Sequence, residues 1–312
     1  MSKVISYFSY KGGAGRSTLA YNTIPFLVSE QIQPTEESPV IVVDMDIDSC
    51  GMSYLLEIPN KTIKEDACVQ HILKNGCDSS FAEHIYEHET LKNLIPVGKK
   101  FGYDNDRAVL FLPAKDMKNV KNSGNFNYDD ANSPFLSSLE SFVETCDSYD
   151  VPAIIFDSAV GNQASANVSN QLADVIVCCM RPTTQFVDGT VRYLDSLDSD
   201  ASSPLGGGLK NIVLVPNVVP QDEIKIDGDV YPGAAITRII NRFSTVLDDR
   251  DEDDDIIYNS DLLDEDDFGI PAIKSFMWRE GQLFTQDKAT FNETEKKAYE
   301  KYRKLAEIIE NI

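Results

Sequence analysis

The sequence predicts an α/β fold built on a mostly parallel β-sheet with helices on both faces. Short apolar runs recur along the chain and alternate with segments of helical periodicity, which is the arrangement of βαβ units. The runs are apolar at successive positions rather than at alternate ones, so both faces of each strand must be covered. The predicted strands are, in chain order, 4–8, 40–46, 109–113, 153–157, 175–180 and 212–215.

Helical segments fill the intervals between these runs. The predicted helices begin near residue 19, cover about 64–74 and 81–90, run from about 134 to 146, and cover about 292–312. A run of Asp and Glu at about 248–267 predicts a solvated loop, with docking of a basic partner as the alternative.

A glycine-rich loop lies between the first predicted strand and the first predicted helix. It runs Lys-Gly-Gly-Ala-Gly-Arg-Ser-Thr from Lys11 to Thr18. Strand, glycine loop and helix in this order are typical of a phosphate-binding loop, because glycines let successive N–H groups point at one anion. The helix N-terminus adds positive charge, and Ser17 is placed to give its hydroxyl to Mg²⁺. The predicted phosphate contacts are Gly12, Gly13, Ala14, Gly15, Arg16, Ser17 and Thr18, and a glycine turn without a ligand is the alternative.

The opening Lys-Gly-Gly-x-Gly of this loop resembles the deviant Walker A motif of the MinD/ParA family of ATPases. The resemblance implies a P-loop NTPase fold, and it implies that Lys11 reaches across a dimer interface to the partner subunit's nucleotide. Arg16 stands where the family usually has lysine; it keeps the charge but is bulkier and less adaptable. We expect this change to affect turnover more than binding. Residues 57–135 are long for the family and are predicted to carry an insertion within a single ATPase domain, residues 1–312.

Acidic residues follow two of the predicted strands. Asp157 ends the run 153–157 and matches the family's Walker B position, which implies that it holds Mg²⁺ through a water. Capping of the next helix is the alternative for this residue. Asp44 and Asp46 resemble the family's second acidic motif. That resemblance implies that Asp46 positions the attacking water and Asp44 supports the metal, with helix capping by Asp46 or Asp48 as the alternative.

Four further positions are candidates for a site. Gly161 ends Asp-Ser-Ala-Val-Gly, which resembles the family's switch II segment and implies an N–H near the γ-phosphate. Asn217 resembles the family's asparagine that hydrogen-bonds adenine, and an ordinary turn residue is the alternative. His84 and His88 fit the zinc pattern H-x-x-E-H, but five-residue patterns occur by chance. We therefore predict surface histidines on an acidic helix.

Charge and composition limit the classes of partner. The formal net charge is −23, and nonspecific nucleic-acid binding, which needs Lys and Arg on phosphates, is disfavoured. No apolar run approaches the roughly 18 residues of a membrane span, and the last helix lacks the basic excess that attracts anionic lipid. The first strand leaves no room for a signal peptide, and the six cysteines show no paired spacing. We therefore expect a cytoplasmic protein with reduced thiols.

Together these features predict a switch ATPase that binds ATP and Mg²⁺, dimerises on ATP, resets by hydrolysis and signals to a partner protein. Arg16, Lys11, the loop amides and Mg²⁺ would stabilise the attack of water on the γ-phosphate. A second hypothesis fits the same residues: a nucleotide-binding regulatory or scaffold protein in which Arg16 makes turnover negligible. A zinc hydrolase is the third hypothesis.

Overall fold

The computed structural model describes residues 1–78, 82–116, 135–161, 163–198, 210–226, 229–248, 256–265, 268–277 and 281–312. The strands are β1 (Lys3–Ser9), β2 (Val40–Asp44), β3 (Ile95–Pro96), β4 (Val109–Leu112), β5 (Ala153–Val160), β6 (Val175–Met180), β7 (Lys210–Pro216), β8 (Ile224–Ile226), β9 (Asp229–Tyr231) and β10 (Ile256–Asn259). The α-helices are α1 (Arg16–Phe26), α2 (Gly51–Leu55), α3 (Val69–Asn75), α4 (Phe135–Ser148), α5 (Ala164–Leu172), α6 (Thr184–Asp198), α7 (Gly233–Asp248) and α8 (Glu293–Asn311).

Eight strands form one sheet in the order β10-β7-β6-β1-β5-β2-β4-β3, and β8 pairs with β9 in a separate hairpin. Every neighbouring pair in the large sheet is parallel except β3 with β4. Asp157 of β5 lies opposite Tyr7 of β1 on one side and Asp44 of β2 on the other. The carboxyl ends of these three strands therefore meet at one edge, and the predicted α/β class with a mostly parallel sheet is confirmed.

Two apolar clusters cover the two faces of the sheet. Residues of α3, α4, α5, α6 and α7 pack on one face, and residues of α1, α2 and α8 pack on the other. Val42 and Val43 of β2 are both fully buried, yet they belong to opposite clusters. This double coverage is the reason that the central strands are apolar at successive positions.

The chain ends in α8, which lies within the range where the sequence predicts a helix. Asn292 and Glu295 form a reciprocal capping box at its start. This helix carries an apolar stripe that is buried against α1 and the sheet, and its members are Ala298, Tyr302, Leu305, Ala306 and Ile309.

Three predictions about elements are corrected. The helix expected over 81–90 is wrong, because the described residues 82–90 form turns. Burial of Ile85 and His88 in this segment outweighs its local helical pattern. The helix expected from residue 64 begins only at Val69. Part of the expected acidic loop, Ile256–Asn259, is the edge strand β10, because its β-branched residues pair with β7.

Two parts of the acidic run, residues 249–255 and 266–267, lie outside the described residues, as do residues 79–81 and 117–134 of the segment expected to carry an insertion. Among the helices that the structure describes, none has the length and apolar character needed to cross a membrane. All six cysteines are free thiols.

Candidate functional site

The glycine loop joins the end of β1 to the start of α1. Gly13 and Gly15 have φ angles of 84° and 81°, in the left-handed region that side-chain-bearing residues rarely adopt. A Cβ on Gly15 would lie 2.8 Å from Nδ2 of Asn217, so this position needs glycine for space as well as for conformation.

The loop lines an open cleft of about 770 Å³ at the carboxyl edge of the sheet. All seven predicted phosphate contacts line this cleft: Gly12, Gly13, Ala14, Gly15, Arg16, Ser17 and Thr18. Asp46 and Asp48 line it from the segment after β2. The Lys11 side chain runs beside α6 instead, where a Cβ on Gly189 would lie 3.7 Å from Cε of Lys11.

The Arg16 side chain lies between two carboxylates and is only 5% exposed. Its Nε donates to Oδ1 of Asp157, and its Nη2 donates to Oδ2 of Asp46, both at 2.7 Å. Burial by itself lowers the pKa of Arg16, but the attraction of Asp157 and Asp46 outweighs it and raises this pKa above its ordinary value. The guanidinium stays charged and bridges two residues that the sequence assigns to different roles.

Asp44 and Asp157 are buried completely on neighbouring strands. Oδ2 of Asp44 accepts hydrogen bonds from N and Oγ of Ser53, at 2.9 and 2.7 Å. Burial first, and then the charge of Asp157, raise the pKa of Asp44 to about 8. Asp157 lies inside β5 rather than at its end, because pairing with β1 continues to Val160.

Several buried polar atoms at this edge have no hydrogen-bond partner: Oδ1 of Asp44, Oδ2 of Asp157 and Nη1 of Arg16. Buried acceptors in this state fit a cation with its water ligands, and a buried donor fits a phosphate oxygen. A Cβ on Gly51 would lie 2.7 Å from Oγ of Ser17 and 3.6 Å from Oδ2 of Asp157, so the glycine keeps this space open. The donor set therefore fits a magnesium ion bound together with a phosphate.

Two residues that the sequence predicts to contact nucleotide, Gly161 and Asn217, form hydrogen bonds within the protein instead. The N–H of Gly161 donates to the carbonyl of Ser9 at 3.0 Å, so a contact with the γ-phosphate would need this bond to open. Nδ2 of Asn217 donates to the carbonyls of Ala14 and Gly15, at 3.0 and 3.2 Å. Asn217 therefore braces the glycine loop, and a contact of its Oδ1 with adenine stays a prediction.

Sequence reasoning missed Gly51 and Ser53 as parts of the site. Gly51 keeps the space beside Ser17 open, and Ser53 donates twice to Asp44. The short helix α2 brings both residues under the loop, and no motif marked them. Their only signal was their position a few residues after the acidic pair.

The zinc pattern does not form a site in the described structure. His88 is buried, which corrects the expected surface position, and its Nε2 lies 3.4 Å from Oδ1 of Asp78. His84 is exposed. Within the described ranges, no group of three His, Cys, Asp or Glu side chains is arranged to hold a metal ion.

No protein-family model and no curated protein sequence matches the chain. Solved structures do match it over nearly its whole length. ParA of pNOB8 aligns with a TM-score of 0.63 at 14% identity, covering 99% of this chain and 97% of that one. ParA of pNOB8 has also been solved bound to nonspecific DNA.

Two further structures share the arrangement. The MinD cell division ATPase of Pyrococcus furiosus aligns with a TM-score of 0.55 at 19% identity, covering 100% of this chain and 99% of that one. An ATP complex of a McdA variant from Cyanothece aligns with a TM-score of 0.57 at 13% identity, covering 100% and 97%. At these identities the likeness concerns the fold. The chain therefore has the fold of the MinD/ParA-type P-loop ATPases.

Proposed function

We propose that this protein is a MinD/ParA-type switch ATPase that binds ATP and Mg²⁺ in the cleft of the glycine loop. The observation that carries the proposal is the set of unpaired buried atoms beside the loop. One oxygen of each of two carboxylates lacks a donor, and one guanidinium nitrogen lacks an acceptor. A cation and a phosphate would supply these missing partners. The McdA variant with this fold binds ATP, which supports the same assignment.

The residues divide the work within the cleft. The loop amides and Arg16 would bind the phosphates, Ser17 and Asp157 would hold Mg²⁺, and Asp44 would support this arrangement. Mg²⁺, when bound, would neutralise the charge on the phosphate oxygens. Asp46 lines the cleft, where it would position the attacking water.

The switch part of the proposal concerns a second copy of the chain. Lys11 is not among the described residues that line the cleft, and its Cε lies close to Gly189 of α6. From this position it would reach the nucleotide of a partner in an ATP-dependent homodimer. A partner protein in the cytoplasm would recognise the dimer, and hydrolysis would reset it.

A second function is favoured by the contacts of Arg16. Its side chain engages both Asp46, which would position water, and Asp157, which would hold the metal. A protein in which these contacts persist would bind nucleotide with negligible turnover and act as a regulatory or scaffold protein.

ATP hydrolysis by the wild type, Arg16→Lys and Asp46→Ala distinguishes the two functions. If the protein is a switch ATPase, the wild type hydrolyses ATP. Asp46→Ala should then slow hydrolysis by about a hundredfold or more, since the attacking water loses its positioning group. Turnover by Arg16→Lys alone would favour the scaffold function. Calorimetry with MgATP and sedimentation with and without ATP complete the test. No heat of binding together with an unchanged monomer mass would refute both functions.

A further inference from the structure

Arg16 is the one basic side chain among the described residues that line the cleft. The same cleft is lined by two acidic side chains, Asp46 and Asp48. Beneath the cleft lie two more carboxylates, Asp44 and Asp157. The positive charge available to an incoming triphosphate is therefore small compared with the negative charge around it.

That single positive charge is also held by acidic partners. The planar guanidinium points Nε at Asp157 and Nη2 at Asp46, each at 2.7 Å. Both contacts are charge-assisted hydrogen bonds in a buried setting, which are the strong kind. A free nucleotide would have to break or share them and would gain no compensating partner for the carboxylates.

We propose that Asp46 and Asp157 restrain Arg16 so that the cleft accepts a nucleotide only as its divalent-metal complex. This inference rests on the proposed function of the cleft. A divalent ion compensates the carboxylates, and Arg16 then becomes available to the phosphates. Nucleotide and metal affinities are therefore strongly coupled, each raising the other by the same factor. Arg16 is the residue that determines this preference, because a lysine ammonium is a point charge and lacks the fork that bridges two carboxylates.

The test is the affinity of the full chain for ATP, measured by calorimetry in excess EDTA and in excess Mg²⁺. We expect the wild type to bind at least about a hundredfold more weakly in EDTA, given that strong hydrogen bonds to charged groups must be given up. Asp46→Asn removes one restraining charge, so its affinity in EDTA should rise by about tenfold to a hundredfold.

Asp48→Asn is the matched control. Asp48 lines the same cleft and its replacement removes the same charge, whereas the ion pairs of Arg16 go to Asp46 and Asp157. We expect this variant to gain about threefold or less in EDTA, the effect of a screened charge without a direct contact. Arg16→Lys leaves every carboxylate in place. It should also reduce the difference between the ATP affinity in EDTA and the ATP affinity in Mg²⁺.

Equal gains in ATP affinity in EDTA for Asp46→Asn and Asp48→Asn would overturn the inference, because general repulsion between carboxylates and phosphates would then explain both gains. Wild-type binding of equal strength in EDTA and in Mg²⁺ would overturn it as well. A wild type that fails to bind ATP even in Mg²⁺ would instead refute the proposed function, so the two failures are distinguishable.

Discussion

Asp44 and Asp157 lie opposite each other on β2 and β5, and only Asp157 has a cation against it. Two buried carboxylates on adjacent strands do not both ionise easily, and the proton goes to the one whose charge is less compensated by a cation. Arg16 compensates Asp157, so Asp44 is the residue that keeps its proton. Its raised pKa, about 8, therefore depends on burial and on the neighbouring charge together.

The raised pKa predicts how the protein without nucleotide responds to pH. Because the folded pKa of Asp44 exceeds the unfolded one, its stabilising contribution is complete below the unfolded value of 3.8 and is lost as the pH rises through about 8. From about pH 5.5 to about pH 7.5, the wild type should lose roughly 1 to 3 kcal/mol of unfolding free energy relative to Asp44→Asn.

Urea unfolding at both pH values measures this difference. Asp48→Asn is the control, since it removes a charge from an exposed position and should follow the wild type. Parallel pH dependence in the wild type and Asp44→Asn would show that Asp44 is already ionised at the lower pH.

At the scale of elements, α8 completes one face of the sheet by packing its apolar stripe on α1. Its first turn is closed by two reciprocal bonds: N of Glu295 donates to Oδ1 of Asn292 at 2.9 Å, and N of Asn292 donates to Oε2 of Glu295 at 3.0 Å. These bonds satisfy N–H groups that have no partner within the helix.

Replacement of the cap predicts a stability change that is independent of the cleft. Asn292→Ala should lower the free energy of unfolding by about 1 kcal/mol, the usual cost of a lost N-cap. Asn292→Asp keeps an acceptor at this position and should stay within about 0.5 kcal/mol of the wild type. Denaturant unfolding compares the three proteins. An alanine variant as stable as the aspartate variant would contradict the role of the cap.

At the scale of the whole molecule, the net charge of this chain opposes the DNA binding seen in a protein with the same fold. ParA of pNOB8, which shares the fold, has been solved on nonspecific DNA, whereas this chain carries 51 Asp and Glu against 28 Lys and Arg. Nonspecific DNA affinity comes from Lys and Arg that displace counterions, and an excess of carboxylates opposes it.

We therefore expect no measurable binding of duplex DNA with MgATP present. Fluorescence anisotropy at physiological salt should give a dissociation constant weaker than about 100 µM, the weak end of nonspecific binding. Binding that tightens at low salt with a steep slope would contradict this prediction and would indicate a local basic surface.

The sequence by itself determined the order of the central strands along the chain, the glycine loop and the family that this fold resembles. These features are local, because strand burial on both faces and a strand–loop–helix junction each leave a contiguous pattern. The helix α8, though not its cap, was predictable for the same reason, since helical periodicity is a pattern within one contiguous segment.

Only the tertiary structure decided how the side chains at the cleft meet. The bridge from Arg16 to Asp46 and Asp157 joins residues 30 and 141 positions apart. The hydrogen bonds from Asn217 to the glycine loop join residues 203 and 202 positions apart. The turns at 82–90 and the strand β10 likewise depend on partners distant in sequence. Local propensity cannot predict such contacts, because the free energy that stabilises them comes from burial and strand pairing in the assembled sheet.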